Sequence, residues 1–243
     1  MKIEEGKYKC EPHTTVCDFD AKGNLTLFAF LKFQQQAAEE QATMLGYGYD
    51  AMVSHGMAFL VNKSMNVIEQ MPRYTDKFYI NTWCAFKKGV RFYRMFEWFK
   101  PDGTPLAYGC NTYVLVSVDE HKPLRPSALY GELKDYPEYS SPALDYVPKM
   151  KADNMQSVGT YTVQYTDLDV NNHLNNARYA NILQNNIPKE CRENIIKSFA
   201  VDFVRELAVD SKVELMSVTE NGSTIMEGVF DGITRFRGRV DYL

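Results

Sequence analysis

Asp18-Phe19-Asp20-Ala21-Lys22-Gly23-Asn24-Leu25 and Asp167-Leu168-Asp169-Val170-Asn171-Asn172-His173-Leu174 align without a gap, and the fold is decided by how this pair is read. Both aspartates and the closing leucine are identical, and two further positions stay apolar. Each octapeptide stands between a strand-like run and a helix-like run, which marks an internal duplication. Before the first copy, Tyr8 to Asp18 reads as a strand. After it, Asn24 to Leu45 reads as a helix, with Leu27, Leu31, Ala38, Ala42 and Leu45 on one face at spacings of 4, 7, 4 and 3. Gly46-Tyr47-Gly48 ends that helix, and a short helix is expected at Tyr49 to His55. Aromatic and β-branched runs then predict strands at Ala58 to Glu69, Lys77 to Lys87, Val90 to Phe99 and Leu106 to Asp119.

The second copy repeats the pattern. Tyr161 to Tyr165 is a strand candidate, and Asn175 to Asn186 is a shorter helix halted by Pro188. Strands follow at Ser198 to Glu206, Lys212 to Glu220, Thr224 to Phe230 and Thr234 to Tyr242. Asn221-Gly222 and Asp231-Gly232 are hairpin turns, because type I′ geometry needs positive φ at both central residues. Between the copies, Pro123, Pro126, Pro137, Pro142 and Pro148 stand among scattered Tyr, Ser and Lys residues, the composition of a linker crossing a surface. The expected division is therefore 1–125, a linker at 126–157, and 158–243. A long helix against an antiparallel sheet makes each unit α+β, and two such sheets paired edge to edge would hide their exposed strand edges.

Composition narrows the function classes. The chain has 243 residues, 45% of them hydrophobic and 24% charged, and a net charge of −4 from 27 Lys and Arg against 31 Asp and Glu. That balance, without a basic run beyond Phe86-Lys87-Lys88, offers little to a nucleic acid. No apolar run reaches the ~18 residues of a membrane span, and the N-terminus lacks an apolar signal core, so a cytosolic location without membrane insertion is expected. Cys10, Cys17, Cys84, Cys110 and Cys191 include no Cys-x-x-Cys pair, and reduced, mostly buried thiols are expected. His13, His55, His121 and His173 are equally dispersed, so neither a metal nor a cofactor is expected.

Chemistry concentrates in the second copy. Residues 167–176 place two aspartates, four asparagines and a histidine before one helix, where a structural segment needs a single cap. Asp169, Asn171 and His173 alternate, which in an extended loop directs three polar side chains to one side, where they can position a water and a carbonyl. The plain alternative is that Asp169 or Asn171 caps the helix and a carbonyl satisfies His173. Downstream, Phe199, Val201 and Phe203 alternate as a half-buried strand ending near Arg205-Glu206. On these residues alone, Glu206 is most simply an ion-pair partner of Arg205. The first copy has Lys22 and Asn24 where the second has Asn171 and His173, which suggests a scaffold or substrate-binding half.

At these stretches the sequence resembles the acyl-acyl-carrier-protein thioesterases of plants and bacteria. The family signature Asp-x-Asp-x-Asn-x-His-x-Asn-Asn-x-x-Tyr is met by Asp167, Asp169, Asn171, His173, Asn175, Asn176 and Tyr179. Trp83, Arg91-Phe92-Tyr93, Asp102-Gly103 and Lys122-Pro123-Leu124-Arg125-Pro126 extend the likeness along the chain. The resemblance implies two tandem hot-dog domains, each a long helix wrapped by an antiparallel sheet. It also implies hydrolysis of acyl-carrier-protein thioesters, with Asp169, Asn171, His173 and Glu206 as catalytic residues. Two positions depart from the family: Leu207 stands where many plant members have a cysteine, so that cysteine is no nucleophile here, and Ile182 replaces a common tryptophan. Met44, Met52, Met57, Met65 and Tyr179 are the candidate acyl-binding residues, flexible or aromatic side chains that otherwise serve as plain core. The expected partner is an acyl-carrier protein bearing a fatty acyl chain, and the chain itself is expected as monomer or homodimer. An acyl-CoA thioesterase, a hot-dog hydratase and a non-catalytic acyl-binding protein are the competing readings.

Overall fold

The computed structural model describes residues 6–120, 122–136 and 141–243, so His121 and Pro137 fall outside the described residues. In the first half, β1 (Tyr8–Cys10) is followed by α1 (Leu27–Met44), α2 (Tyr49–Ser54), β2 (Met57–Ile68), β3 (Tyr79–Lys88), β4 (Arg91–Phe99) and β5 (Pro105–Ser117). After a four-residue α3 (Pro142–Asp145) come β6 (Gln156–Thr162), α4 (Asn176–Asn185), β7 (Ile196–Phe203), β8 (Lys212–Glu220), β9 (Ser223–Phe230) and β10 (Ile233–Tyr242). The ten strands form one antiparallel sheet in the order β1-β3-β4-β5-β2-β7-β10-β9-β8-β6, which reads alike from either end once β1 is matched with β6 and β2 with β7. At the central seam Lys63 pairs with Asp202, Ser64 with Val201 and Met65 with Ala200, so each half covers the other's open edge.

The duplication holds at the level of single hydrogen bonds. Asp18 and Asp167 each close a short 3-10 turn, accepting from the backbone of Thr15 and Gln164. The N–H of Asp20 donates to Asn24 O, and that of Asp169 to His173 O. Phe19 bridges Leu25, and Leu168 bridges Leu174. The turn needs a left-handed residue, supplied by Gly23 (φ 75°) in one copy and Asn172 (φ 65°) in the other, two residue types that tolerate it. Thr26 and Asn175 then cap the two helices, accepting from the N–H groups of Ala29 and Ala177.

Several sequence expectations shift here. The strand expected over Tyr8 to Asp18 stops at Cys10, because Pro12 cannot donate to a ladder and Asp18 draws the chain into its capping turn. The second unit's opening strand runs Gln156–Thr162 instead of Tyr161 to Tyr165, since Tyr165 already belongs to the capping turn of Asp167. The strand ending near Glu206 stops at Phe203, where the N–H groups of Val204 and Arg205 both turn to Arg235 O. Asn221-Gly222 and Asp231-Gly232 have positive φ throughout, as the turns require.

α1 and α4 pack together on one face of the sheet. Phe30 of α1 is fully buried, stacked on Trp98 of β4 at 4.2 Å and edge-on to Phe199 of β7 at 5.4 Å, so one side chain ties the cores of both halves. The opposite face of β3, β4 and β5 presents Trp83, Ala85, Met95 and Cys110, and Ala143 of α3 is buried against them. The end of the proline-rich segment, residues 141–146, thus adheres to the back of the sheet, where Tyr146 donates to Asp241 at 2.5 Å, while Leu124, Leu129 and Leu133 earlier in it pack on the cavity side with Met52, Cys84 and Phe92. Among the described residues no helix is long and apolar enough to cross a membrane, and Cys10, Cys84 and Cys110 are buried free thiols.

Candidate active site

The loop before α4 is not extended. Asp169 Oδ1 accepts from the N–H of Asn171, the N–H of Asn172 returns to Asp169 O, and the Leu168–Leu174 bridge closes the turn. The alternation of Asp169, Asn171 and His173 therefore does not aim all three side chains one way. Asp169 and Asn171 border a cavity of about 380 Å³, whereas His173 faces Glu206, with Nε2 3.3 Å from Oε2. Glu206 reaches that partner because the N–H of Leu174 donates to Leu207 O, clamping the segment after β7 beside the loop. Among the described residues no ion pair joins Glu206 to Arg205; the pair is with His173.

The first copy shows what the second has gained. There the N–H of Leu25 donates to Pro72 O, as that of Leu174 does to Leu207 O, so Met71 occupies the place of Glu206. Asn24 takes the place of His173, and Lys22 that of Asn171. With a thioether, a carboxamide and an ammonium at these positions, the first copy has no imidazole–carboxylate pair.

The cavity lies almost wholly in the first half. Its wall is built from Ala38 and Ala42 of α1, Met52 and Val53 of α2, and Met57, Phe59 and Val61 of β2, with Phe92 and Tyr113 behind them. Asn175 and Asn176, at the start of α4, close it on the side of the second half. Asn175 takes up the N–H groups of Ala177 and Arg178, and no described residue accepts from the N–H of Asn176, which is left at the positive end of the helix.

Of the expected acyl-binding residues, Met52 and Met57 line this cavity and Met44, Met65 and Tyr179 do not. Met44 is half exposed at the end of α1. Met65 points from the other face of β2 into the cluster around Trp83. Tyr179 is buried edge-on to Phe203 and Phe236, and burial with the nearby charges of Glu206 and Asp169 pushes its phenol above the usual value. It supports the loop from beneath. Phe59, Phe92 and Tyr113 are among the many Phe and Tyr residues that the sequence offers for an acyl pocket, whereas Arg94, which also lines the cavity, is not a residue type expected there. Arg94 had a signal: it interrupts an alternating apolar face between Phe92 and Phe96.

Comparison with known proteins agrees with both halves. The family model of the acyl-ACP thioesterase N-terminal domain matches residues 5–128, and that of the C-terminal domain matches residues 150–234. A chloroplastic acyl-[acyl-carrier-protein] hydrolase of Cuphea viscosissima is 25% identical over 179 residues, 70% of this chain and 43% of its own length. A chloroplastic oleoyl-acyl carrier protein thioesterase of Arabidopsis thaliana is 23% identical over 65% of this chain and 47% of its own. The chain thus spans under half the length of these curated relatives. Among solved structures, an acyl-ACP thioesterase from Bacteroides thetaiotaomicron superposes with a TM-score of 0.89 at 20% identity, covering 100% of both chains. The 12:0-ACP thioesterase from Umbellularia californica superposes with a TM-score of 0.79 at 18% identity, covering 100% of this chain and 99% of its own. The architecture they share with this chain is the tandem hot-dog fold, α+β in class. Matched over its first half by one domain model and over most of its second half by the other, the chain belongs to the acyl-ACP thioesterase family.

Proposed function

We propose that this protein hydrolyses the thioester of an acyl chain held on acyl-carrier protein and releases the free fatty acid, acting in the cytosol without a cofactor. The observation that carries the reading is the His173–Glu206 pair, 3.3 Å apart and present only in the copy whose loop borders the cavity. Family membership supports it, as do the names of the curated relatives. Glu206, oriented by His173, takes a proton from a water beside the loop, and the water oxygen attacks the thioester carbonyl carbon at the cavity edge that Asn171 borders. Negative charge gathers on the carbonyl oxygen and is met by the N-terminus of α4. When that oxyanion collapses, the C–S bond breaks and the thiolate leaves, taking up the proton from Glu206. A thiolate leaves readily, so no stronger acid is needed. Asp169 keeps the loop in shape through its bond to Asn171. The hydrocarbon lies along Met52, Met57, Phe59 and Phe92.

The test is thiol release from carrier-protein and CoA thioesters of one acyl length. A higher kcat/KM on the carrier-protein ester supports the reading. A preference for the CoA ester moves the chemistry to a different carrier, and an enoyl product without thiol release replaces it with a hydratase.

A further inference from the structure

The acyl cavity has a polar inner wall that a plain hydrocarbon does not match. Arg94 stands between Phe92 and Phe96 on the inner face of β4 and lines the cavity together with Cys84 and Tyr113. Its Nη1 donates to Gln41 Oε1 and Thr82 Oγ1, both behind the wall. Among the described residues no carboxylate pairs with it and nothing accepts from its Nε or Nη2. Directly across the sheet are Asn111 and then Ser64, both buried, and Asn111 Oδ1 has no hydrogen-bond partner among the described residues. A guanidinium with unused donors and a phenol thus line a cavity that Met52, Met57, Phe59 and Phe92 also line, and the Asn111 carboxamide lies next to Arg94 across the sheet.

Burying donors without acceptors costs free energy, and a methyl-ended chain pressed against Arg94 does that by expelling the water that would otherwise serve them. An oxygen at the same depth accepts from Nε and Nη2 and removes the cost. Building on the proposed thioesterase reading, we infer that the cavity selects acyl groups whose distal end carries a hydroxyl or keto oxygen, and that Arg94 is the residue that reads it.

The experiment compares saturated acyl-carrier-protein thioesters with terminally hydroxylated ones, matched in length through the medium-chain range. At the length that reaches Arg94, the hydroxylated ester is expected to have the higher kcat/KM by about tenfold or more, the range of a hydrogen bond to a charged group. Arg94→Met should reverse the order, and Arg94→Lys, which keeps the charge without the planar fork, should fall between. If Arg94→Met does not fold, the wild-type ratio still decides, because a preference for the saturated ester at every length overturns the inference. Binding of the free acids by calorimetry separates this from failure of the hydrolase reading. Should no ester release thiol, tighter binding of the hydroxy acid than of the saturated acid still upholds the inference, and equal or weaker binding sinks it.

Discussion

Glu206, His173 and Asn171 differ from Met71, Asn24 and Lys22 in chemistry alone, since the backbone that holds the two sets is hydrogen-bonded alike. The copies therefore act as an internal control. Asn24→Ala and Met71→Ala are expected to keep kcat near the wild-type value, whereas His173→Ala lowers it by about 10²–10⁴-fold, the span of general acid–base catalysis. Steady-state thiol release reads both, and far-UV circular dichroism checks that the fold is intact. Asp241 makes a different prediction at this scale. Burial alone raises its carboxyl, but hydrogen bonds from Ser223, Tyr146 and Ser198 and the guanidinium of Arg239 hold it below the ordinary range. The unfolded chain thus takes up that proton at higher pH than the folded one. The stabilisation is complete above the unfolded pKa of about 4 and is lost as pH falls through the lower folded value. Asp241→Asn should lower the melting temperature at neutral pH and flatten its decline below about pH 4. A variant melting curve parallel to the wild type down to acid pH would contradict this.

Among the elements, the turn before each helix is the most informative. Gly23 and Asn172 occupy one left-handed position, so Asn172→Gly should leave stability and activity nearly unchanged. Asn172→Val forces a β-branched residue into that conformation, with an expected cost of about 1–2 kcal/mol in a denaturant titration and a loss of activity as the loop shifts. The repeated octapeptide, the helices and the hairpin turns were legible in the sequence because they depend on local spacing and on residue types with fixed backbone habits. Which way a side chain points from an irregular turn does not. Alternation groups Asp169, Asn171 and His173, but the Asx-type bond from Asn171 to Asp169 folds the loop back, so His173 parts from the other two and meets Glu206. That partner lies 33 residues away in sequence and is brought close by the bond between Leu174 and Leu207. Met44 and Met65 stay off the cavity for the same reason: residue type suits a hydrocarbon, but sheet face and helix end decide access.

At the scale of the whole molecule, one continuous sheet divides the work between two related halves. The first half lacks the imidazole–carboxylate pair and holds most of the cavity beside its long helix; the second holds the pair next to the start of a shorter helix. Phe30 links the two cores, so Phe30→Ala should destabilise the protein by about 3–5 kcal/mol and do so in a single transition that lowers both halves together. Two separated transitions in a calorimetric scan would show that the halves unfold independently. If an acidic carrier protein docks as proposed, the net charge of −4 leaves it a local patch of Lys and Arg, and a KM that rises steeply with salt would mark such a patch. Turnover is expected to depend on the imidazole–carboxylate pair of the second half, and Glu206→Gln removes the base while keeping its shape. Thiol release from an acyl-carrier-protein thioester, measured with folded Glu206→Gln beside the wild type, should fall by at least about a hundredfold; a rate near that of the wild type would contradict the account.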